Sequence, residues 1–191
     1  MMALLFLILG SFSEARELPT KFASCTVCHG SNGKSESRDY PNLAAQRAGY
    51  LSDSLQAFRN LSRNDPDAQI YMQKEATDLT DEDIRQIAEY FSKLPPVVES
   101  SPENPSLIAA GREIFFKGIP ARQVPSCVHC HGLGGQGVKA IPRLAGQHTT
   151  YLAKQLLWFR SGERRDDSMI SVVKNLTRDE IEALANYLES I

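Results

Sequence analysis

Two short cysteine patterns constrain this chain more than any other feature of its sequence. Residues 25–29 read Cys-Thr-Val-Cys-His and residues 127–131 read Cys-Val-His-Cys-His, so that Cys-x-x-Cys-His occurs twice, 102 residues apart. All four cysteines of the chain belong to these two patterns. Cysteines three residues apart lie on one face of a helix, and the adjacent histidine completes a compact group of ligands. The chain is therefore expected to contain two equivalent sites.

Similarity between the two halves extends well beyond the cysteine patterns. PNLA at residues 41–44 recurs as PRLA at residues 142–145, and a glutamine follows two residues later in both copies. Met72 returns as Met169. The offset between the copies falls from 102 to 97 along the chain, so the first half has a few extra residues, mostly within residues 60–69. The same layout is written twice, which predicts two tandem domains.

A proline-rich segment separates the copies. Residues 95–105 contain four prolines, which exclude a continuous helix and favour a stiff, extended linker. We therefore expect a first domain at residues 16–94, a linker at residues 95–104 and a second domain at residues 105–191. A chain of 191 residues is long enough for two domains of roughly 80–100 residues each.

Capping signals and apolar periodicity predict helices throughout. Thr80-x-x-Asp83 and Thr177-x-x-Glu180 have the capping-box pattern that begins a helix. In both cases apolar residues follow at i, i+3, i+4 and i+7, namely Ile84, Ile87, Ala88 and Phe91 in the first copy and Ile181, Leu184, Ala185 and Leu188 in the second. Asn104 and Pro105 begin a further helix, and residues 50–59 and 151–160 form two more. No segment shows sustained strand alternation, so the fold is predicted to be all-α.

The Cys-x-x-Cys-His pattern is the attachment sequence of c-type haem. Two thiols one helical turn apart each add to a vinyl group of one haem, and the adjacent histidine then lies beneath the iron as its proximal ligand. Cys25, Cys28 and His29 are thus predicted to hold one haem. The matching residues Cys127, Cys130 and His131 are predicted to hold a second. The expected cofactors are two covalently bound haem c groups.

Other uses of these cysteines fit less well. Zinc requires four tetrahedral ligands, and adjacent residues such as Cys28 and His29 do not easily reach one ion together. A redox dithiol of the thioredoxin type expects a βαβ setting, which is not predicted here. Structural disulfides, the usual role of four cysteines in an exported protein, leave both histidines unexplained.

The second axial ligand of each iron follows by elimination. Beyond the two methionines that begin the chain, the sequence contains only Met72 and Met169, at equivalent positions of the repeat. His29 is the sole histidine of the first domain, which excludes ligation by two histidines there. His/Met coordination raises the reduction potential. With both axial positions filled there is no open site for oxygen or peroxide, so electron transfer rather than catalysis is expected.

Two loop prolines and two further histidines support weaker expectations. Pro41 and Pro142 follow the haem motifs on a loop, where a carbonyl could accept the proximal imidazole N–H and orient the ring, although an ordinary turn proline is an equal alternative. His129 and His148 are expected to be surface residues rather than ligands.

The amino terminus predicts export. Residues 1–10 form an apolar run too short to span a bilayer. Ser13 and Ala15 supply small residues at positions −3 and −1 of a cleavage site after Ala15. We therefore expect residues 1–15 to be a signal peptide. Because no Lys or Arg precedes the apolar run, the alternative is an ordinary buried amino-terminal helix.

The net charge of the chain argues against nucleic acid as a partner, and the two halves of the chain differ in net charge. The formal net charge is −2, which gives no basic field for nucleic acid. Residues 16–94 carry ten Lys and Arg against twelve Asp and Glu, whereas residues 97–191 carry eleven against ten. Since a more positive domain disfavours oxidised haem, we expect the second haem to have the higher potential.

Taken together, these motifs resemble the dihaem cytochrome c4 family, in which two class I cytochrome c domains follow one another. The resemblance covers nearly the whole mature chain and includes both Cys-x-x-Cys-His-Gly runs, both Pro-x-Leu-Ala segments and both methionines. It implies a periplasmic carrier that shuttles single electrons between respiratory-chain partners, often towards a terminal oxidase and sometimes in loose association with the membrane. The same layout also resembles the dihaem cytochrome subunit of a larger dehydrogenase, such as a sulfide-oxidising flavocytochrome, and the sequence does not separate the two.

Overall fold

A computed structural model describes residues 22–98 and 104–191 of the chain. Within these ranges the backbone is helical and contains no strand, only two isolated bridges that join Ile119 to Val124 and Val138 to Ile141. The all-α prediction is therefore confirmed. The α-helices of the described ranges are α1 Ala23–His29, α2 Ala48–Arg59, α3 Gln73–Ala76, α4 Asp81–Ser92, α5 Pro105–Lys117, α6 Val128–His131, α7 Thr149–Ser161, α8 Asp167–Val173 and α9 Arg178–Glu189.

Helices α4 and α9 begin as the sequence predicts. At each start the side chain of the N-cap threonine accepts a hydrogen bond from the backbone N–H of residue N3, and the carboxylate of N3 accepts one from the backbone N–H of the threonine. The pair is Thr80 and Asp83 in α4, and Thr177 and Glu180 in α9. The apolar residues that follow are buried in both helices. Helix α5 begins with the Asn104 side chain accepting from an amide of its first turn and ends before Gly118. Local chemistry thus determines where these helices begin and end.

The buried apolar residues form two separate cores. The first surrounds α2 and α4 and includes Leu51, Phe58 and Phe91. The second surrounds α5, α7 and α9 and includes Phe115 and Leu184. No residue belongs to both clusters, so the described chain consists of two domains with a hydrophobic core each.

Close packing of α5 against α9 depends on a glycine. A Cβ atom on Gly111 would lie 2.0 Å from the carbonyl oxygen of Ala183, far inside van der Waals contact. Only a residue without a side chain therefore lets the two helix backbones approach each other this closely.

A π-helical turn distinguishes the first domain from the second. Asp65 accepts the Ala68 amide at 3.3 Å, and its counterpart Asp166 accepts the Met169 amide at 2.9 Å. Six residues separate Asp65 from its methionine, whereas two separate Asp166 from Met169. The π-helical turn Ala68–Met72 contains most of this additional length.

Some sequence predictions fall outside the described residues. These are the signal peptide at residues 1–15 with its cleavage site, and the central part of the linker, residues 99–103. Across residues 22–98 and 104–191, the helices are all too short or too polar to span a bilayer.

Candidate functional site

Both attachment motifs are helical and end at a glycine. Helix α1 contains Cys25 and Cys28 and ends at His29, after which Gly30 adopts a φ of 76°. A Cβ on Gly30 would lie 1.9 Å from the Lys34 carbonyl oxygen, so this turn requires glycine. Helix α6 likewise ends at its histidine before Gly132, which has a φ of 81°. Among the described residues, the four motif cysteines are not joined by disulfides.

Each motif histidine is held by a proline carbonyl. The Nδ1 atom of His29 lies 2.9 Å from the Pro41 oxygen, and that of His131 lies 3.0 Å from the Pro142 oxygen. A carbonyl oxygen can only accept, so Nδ1 is the protonated nitrogen and Nε2 keeps its lone pair for a metal ion. The loop prolines therefore orient the rings, which the sequence had left undecided against ordinary turn prolines.

Burial keeps both imidazoles neutral. It lowers the pKa of His29 and of His131 below the ordinary histidine value, although the hydrogen bond to the proline carbonyl opposes the shift in each case. A metal-binding imidazole must be unprotonated at the ligating nitrogen. Both histidines thus have the protonation state and ring orientation that an iron ligand needs.

The two methionines border the same cores as the attachment cysteines. Met72 and Cys25 are partly buried against the first core, and Met169 and Cys127 are partly buried against the second. Each domain therefore packs an attachment cysteine and a methionine against its core and holds a buried, oriented imidazole, and these donor groups fit a covalently attached haem. Over the same described ranges, no group of three or more His, Cys, Asp and Glu side chains is placed to hold a metal ion.

A reciprocal polar contact joins the domains, and sequence reasoning missed it. The Gln147 side chain accepts from the Asn42 amide at 2.8 Å and donates to the Asn42 oxygen at 2.9 Å. In the opposite direction Gln46 accepts from the Arg143 amide at 2.7 Å and donates to the Arg143 oxygen at 2.9 Å. Counterparts in the repeat thus make the same contact in both directions, as in a two-fold symmetric dimer. The repeated glutamine was the available signal.

Two half-buried arginines lie at the same interface. Arg164 donates to the Tyr50 hydroxyl of the other domain at 3.0 Å and to Gln155 at 2.6 Å. Arg63, its counterpart, donates to Gln155 at 3.0 Å and pairs with Asp65. Burial alone would raise the pKa of Tyr50, but the guanidinium groups of Arg164 and Arg63 outweigh it and lower that pKa. Within residues 22–98 and 104–191 Arg164 forms no ion pair with a carboxylate.

The expectation that His148 lies on the surface is wrong. His148 is only 4% exposed, and its Nε2 atom lies 3.1 Å from the Ser35 oxygen of the other domain. Its burial arises from the contact between the domains, which the local sequence does not reveal. His129 is exposed, as expected.

Helical domains that attach haem through paired cysteines, with a histidine held for the iron, define the class of c-type cytochromes, and known proteins agree with this. The family model described as Cytochrome c matches residues 18–95 and 108–191. Cytochrome c4 of Pseudomonas aeruginosa is 34% identical over 90% of this chain and 85% of its own length. The thiosulfate dehydrogenase electron acceptor of Stutzerimonas stutzeri is 32% identical over 88% and 79%, respectively.

The solved structure of Acidithiobacillus ferrooxidans cytochrome c4 matches the fold with a TM-score of 0.84 and 36% identity, covering 89% of this chain and 99% of that one. The chain therefore belongs to the cytochrome c family, as a two-domain member of the cytochrome c4 type. It is an electron-transfer protein with two covalently bound haem c groups rather than an enzyme.

Proposed function

We propose that this protein is a periplasmic carrier that shuttles single electrons between respiratory-chain partners and delivers them towards a terminal oxidase. The observation that carries the proposal is that both domains repeat the same donor groups, a buried imidazole held by a proline carbonyl and a methionine packed against the core of its domain. Iron with both axial positions filled exchanges electrons without binding a substrate. The apolar amino terminus and the similarity to cytochromes c4 support export to the periplasm.

Each haem is assigned its own set of residues. For the first haem, Cys25 and Cys28 form the thioether bonds, and His29 and Met72 are the iron ligands. For the second, the corresponding residues are Cys127, Cys130, His131 and Met169. The domains that hold them are residues 16–94 and 105–191, joined by the linker at residues 95–104 after removal of residues 1–15.

Bound haem supplies an iron that gains and loses one electron, and the surrounding residues prepare its site. Pro41 and Pro142 hold the proximal rings with Nε2 free. His29 and His131 are only 6% and 7% exposed, so water has little access to the proximal rings.

Intact mass is the direct test of the two-haem assignment. After export, maturation and acid–acetone extraction, the mass of the polypeptide should exceed the apoprotein by two haem masses, because both attachment motifs are intact. Cys25→Ala combined with Cys28→Ala should leave one haem mass, and Cys127→Ala with Cys130→Ala should do the same. A wild-type product with a single haem under adequate haem supply would contradict the proposal.

The alternative function is that of a cytochrome subunit in a larger dehydrogenase, such as a sulfide-oxidising flavocytochrome. Similarity to a thiosulfate dehydrogenase electron acceptor favours a dehydrogenase as one electron donor. Purification from the native host at low salt separates the two functions. A free carrier elutes as the single chain, whereas a subunit elutes with a dehydrogenase chain in fixed stoichiometry.

A further inference from the structure

The peptide group that joins Pro41 to Asn42 makes hydrogen bonds to both domains. Its carbonyl oxygen accepts the Nδ1 proton of His29 at 2.9 Å, within the first domain. Its N–H donates to the side-chain oxygen of Gln147 at 2.8 Å, in the second domain. A single rigid peptide plane therefore stands between the proximal histidine of one domain and a side chain of the other.

The second domain has the same arrangement in reverse. The peptide that joins Pro142 to Arg143 accepts the Nδ1 proton of His131 at 3.0 Å. Its N–H donates to the side-chain oxygen of Gln46, from the first domain, at 2.7 Å. The arrangement is thus a property of the repeated layout and not of one loop.

Both glutamines are held firmly in these positions. Gln46 and Gln147 are 6% and 5% exposed. Each also donates its amide nitrogen to the carbonyl of the residue that it contacts, at 2.9 Å in both cases. Each side-chain oxygen further accepts the next amide of its own chain, from Arg47 at 2.9 Å and from His148 at 3.1 Å. Burial excludes water as a competing partner, which strengthens every bond in the series.

Hydrogen bonds in series polarise one another. The N–H and C=O of a peptide are conjugated, so donation by the N–H places more negative charge on the carbonyl oxygen. That oxygen then draws the Nδ1 proton more strongly and makes the imidazole a more electron-rich ligand through Nε2. A more electron-rich ligand stabilises ferric iron and so lowers the reduction potential.

We propose that Gln147 tunes the reduction potential of the first haem and that Gln46 tunes that of the second, each through the proximal-histidine peptide of the opposite domain. The inference rests on the proposed function in one respect, the ligation of the irons by His29 and His131. Gln46 and Gln147 are then positioning residues that make each potential depend on docking of the other domain.

The test uses the full chain with both haems attached and compares Gln147→Leu with Gln46→Leu. An NMR-monitored redox titration follows each haem through resonances of its own domain, and the ring N–H resonances of His29 and His131 report the proximal hydrogen bonds. Gln147→Leu should raise the potential of the first haem more than that of the second, and should move the His29 ring N–H signal. Gln46→Leu should do the opposite. The two variants are matched controls because each removes the equivalent interdomain contacts, those to Asn42 for Gln147→Leu and those to Arg143 for Gln46→Leu.

A milder pair, Gln147→Asn and Gln46→Asn, keeps the amide group, but the side chain is one methylene too short to reach its partner. These variants should give the same crossed pattern, in which each substitution mainly shifts the potential of the haem in the opposite domain. The inference is overturned if each variant mainly shifts the haem of its own domain. It is also overturned if either variant shifts both haems equally, as separation of the domains would do. Iron-shifted resonances of His29 and His131 in the wild type establish ligation independently, so a failure of the crossed pattern counts against the glutamines alone.

Discussion

His29 and His131 each use their two ring nitrogens for different purposes. Nδ1 donates to a proline carbonyl, which fixes the tautomer and leaves the lone pair of Nε2 available to a metal ion. A histidine without this carbonyl could rotate about its side-chain bonds and would lose rotational freedom only on binding the metal. The loop proline therefore sets the orientation of the ring before any metal ion binds.

Replacement of either methionine should affect one haem only. We expect Met72→Ala to abolish the sulfur-to-iron absorption of the first haem, half of the total, because the thioether is lost. The exposed coordination position should then bind carbon monoxide or cyanide, as seen by absorption spectroscopy. Met169→Ala is the matched control and should change the second haem in the same way. An unchanged first-haem spectrum in Met72→Ala would show that another group is the ligand.

The residues of the haem-attachment motifs could be recognised from the sequence, whereas a residue buried by contacts with a distant part of the chain could not. The cysteines and histidines of the motifs lie within five consecutive residues, so their spacing alone indicates haem attachment. His148 was assigned to the surface because its partner, Ser35, is 113 residues away in the chain. Burial that is created between domains leaves no periodic signal in the local sequence.

Among the elements, α4 and α9 were predictable and the π-helical turn was not. Both helices combine a capping box with an apolar stripe, and each signal is contained within a dozen residues. The π-helical turn Ala68–Met72 instead contains an insertion. The repeat offset reveals the extra length, but an insertion can be accommodated by a loop, a longer helix or a wider one, and tertiary packing decides between them.

The start of α9 gives a prediction about pH. Burial opposes ionisation of Glu180, but hydrogen bonds from Thr177 and the Arg122 guanidinium outweigh it and hold the pKa of Glu180 below its ordinary value. A depressed carboxylate pKa contributes stability above the unfolded value of about 4.3, and this is lost as pH falls through the folded value. Glu180→Gln should therefore lower the free energy of unfolding by about 0.5–1 kcal/mol at pH 7 and low salt.

This loss should disappear in acid, where the wild-type carboxyl is also neutral. Chemical unfolding of the second domain, followed at pH 7 and at pH 3 through the amides of α9, measures it. Glu182→Gln, which removes the same charge from an exposed position of α9, is the control and should change stability less. An equal loss for Glu180→Gln at both pH values would mean that the ion pair with Arg122 does not contribute.

At the scale of the whole molecule, the repeat predicts two domains but does not predict how they dock. The contacts that join them link residues about a hundred positions apart, such as Asn42 with Gln147 and Gln46 with Arg143. Tandem copies of a domain can pack in many ways, and the repeated glutamine at residues 46 and 147 does not by itself identify the surface that it contacts. The reciprocal arrangement buries polar groups of both proximal loops, so the relation between the domains bears directly on the haem environments.

We predict that the second haem has the higher reduction potential, because of the charge near each proximal loop. Residues 16–94 have two more acidic than basic residues and residues 97–191 have one more basic than acidic, but surface charge is screened over about 8 Å. A nearer difference is Arg143, half-buried directly after Pro142, where the first domain has the neutral Asn42. Oxidised haem carries one more positive charge than reduced haem, so Arg143 should raise the potential of the second haem. Electrons would then enter through the first domain and rest on the second.

Replacing Arg143 by Asn tests this assignment without disturbing the backbone contacts of that residue. Arg143→Asn keeps the amide and carbonyl that bind Gln46 and should lower the potential of the second haem, narrowing its difference from the first. Arg178→Asn removes the same charge from an exposed position of the second domain, so screening should leave its effect smaller. A domain-resolved redox titration of the three proteins decides the order. If the wild type has equal potentials, or a higher potential on the first haem, the proposed direction of electron flow is wrong, and the role of the protein as an electron carrier is unaffected.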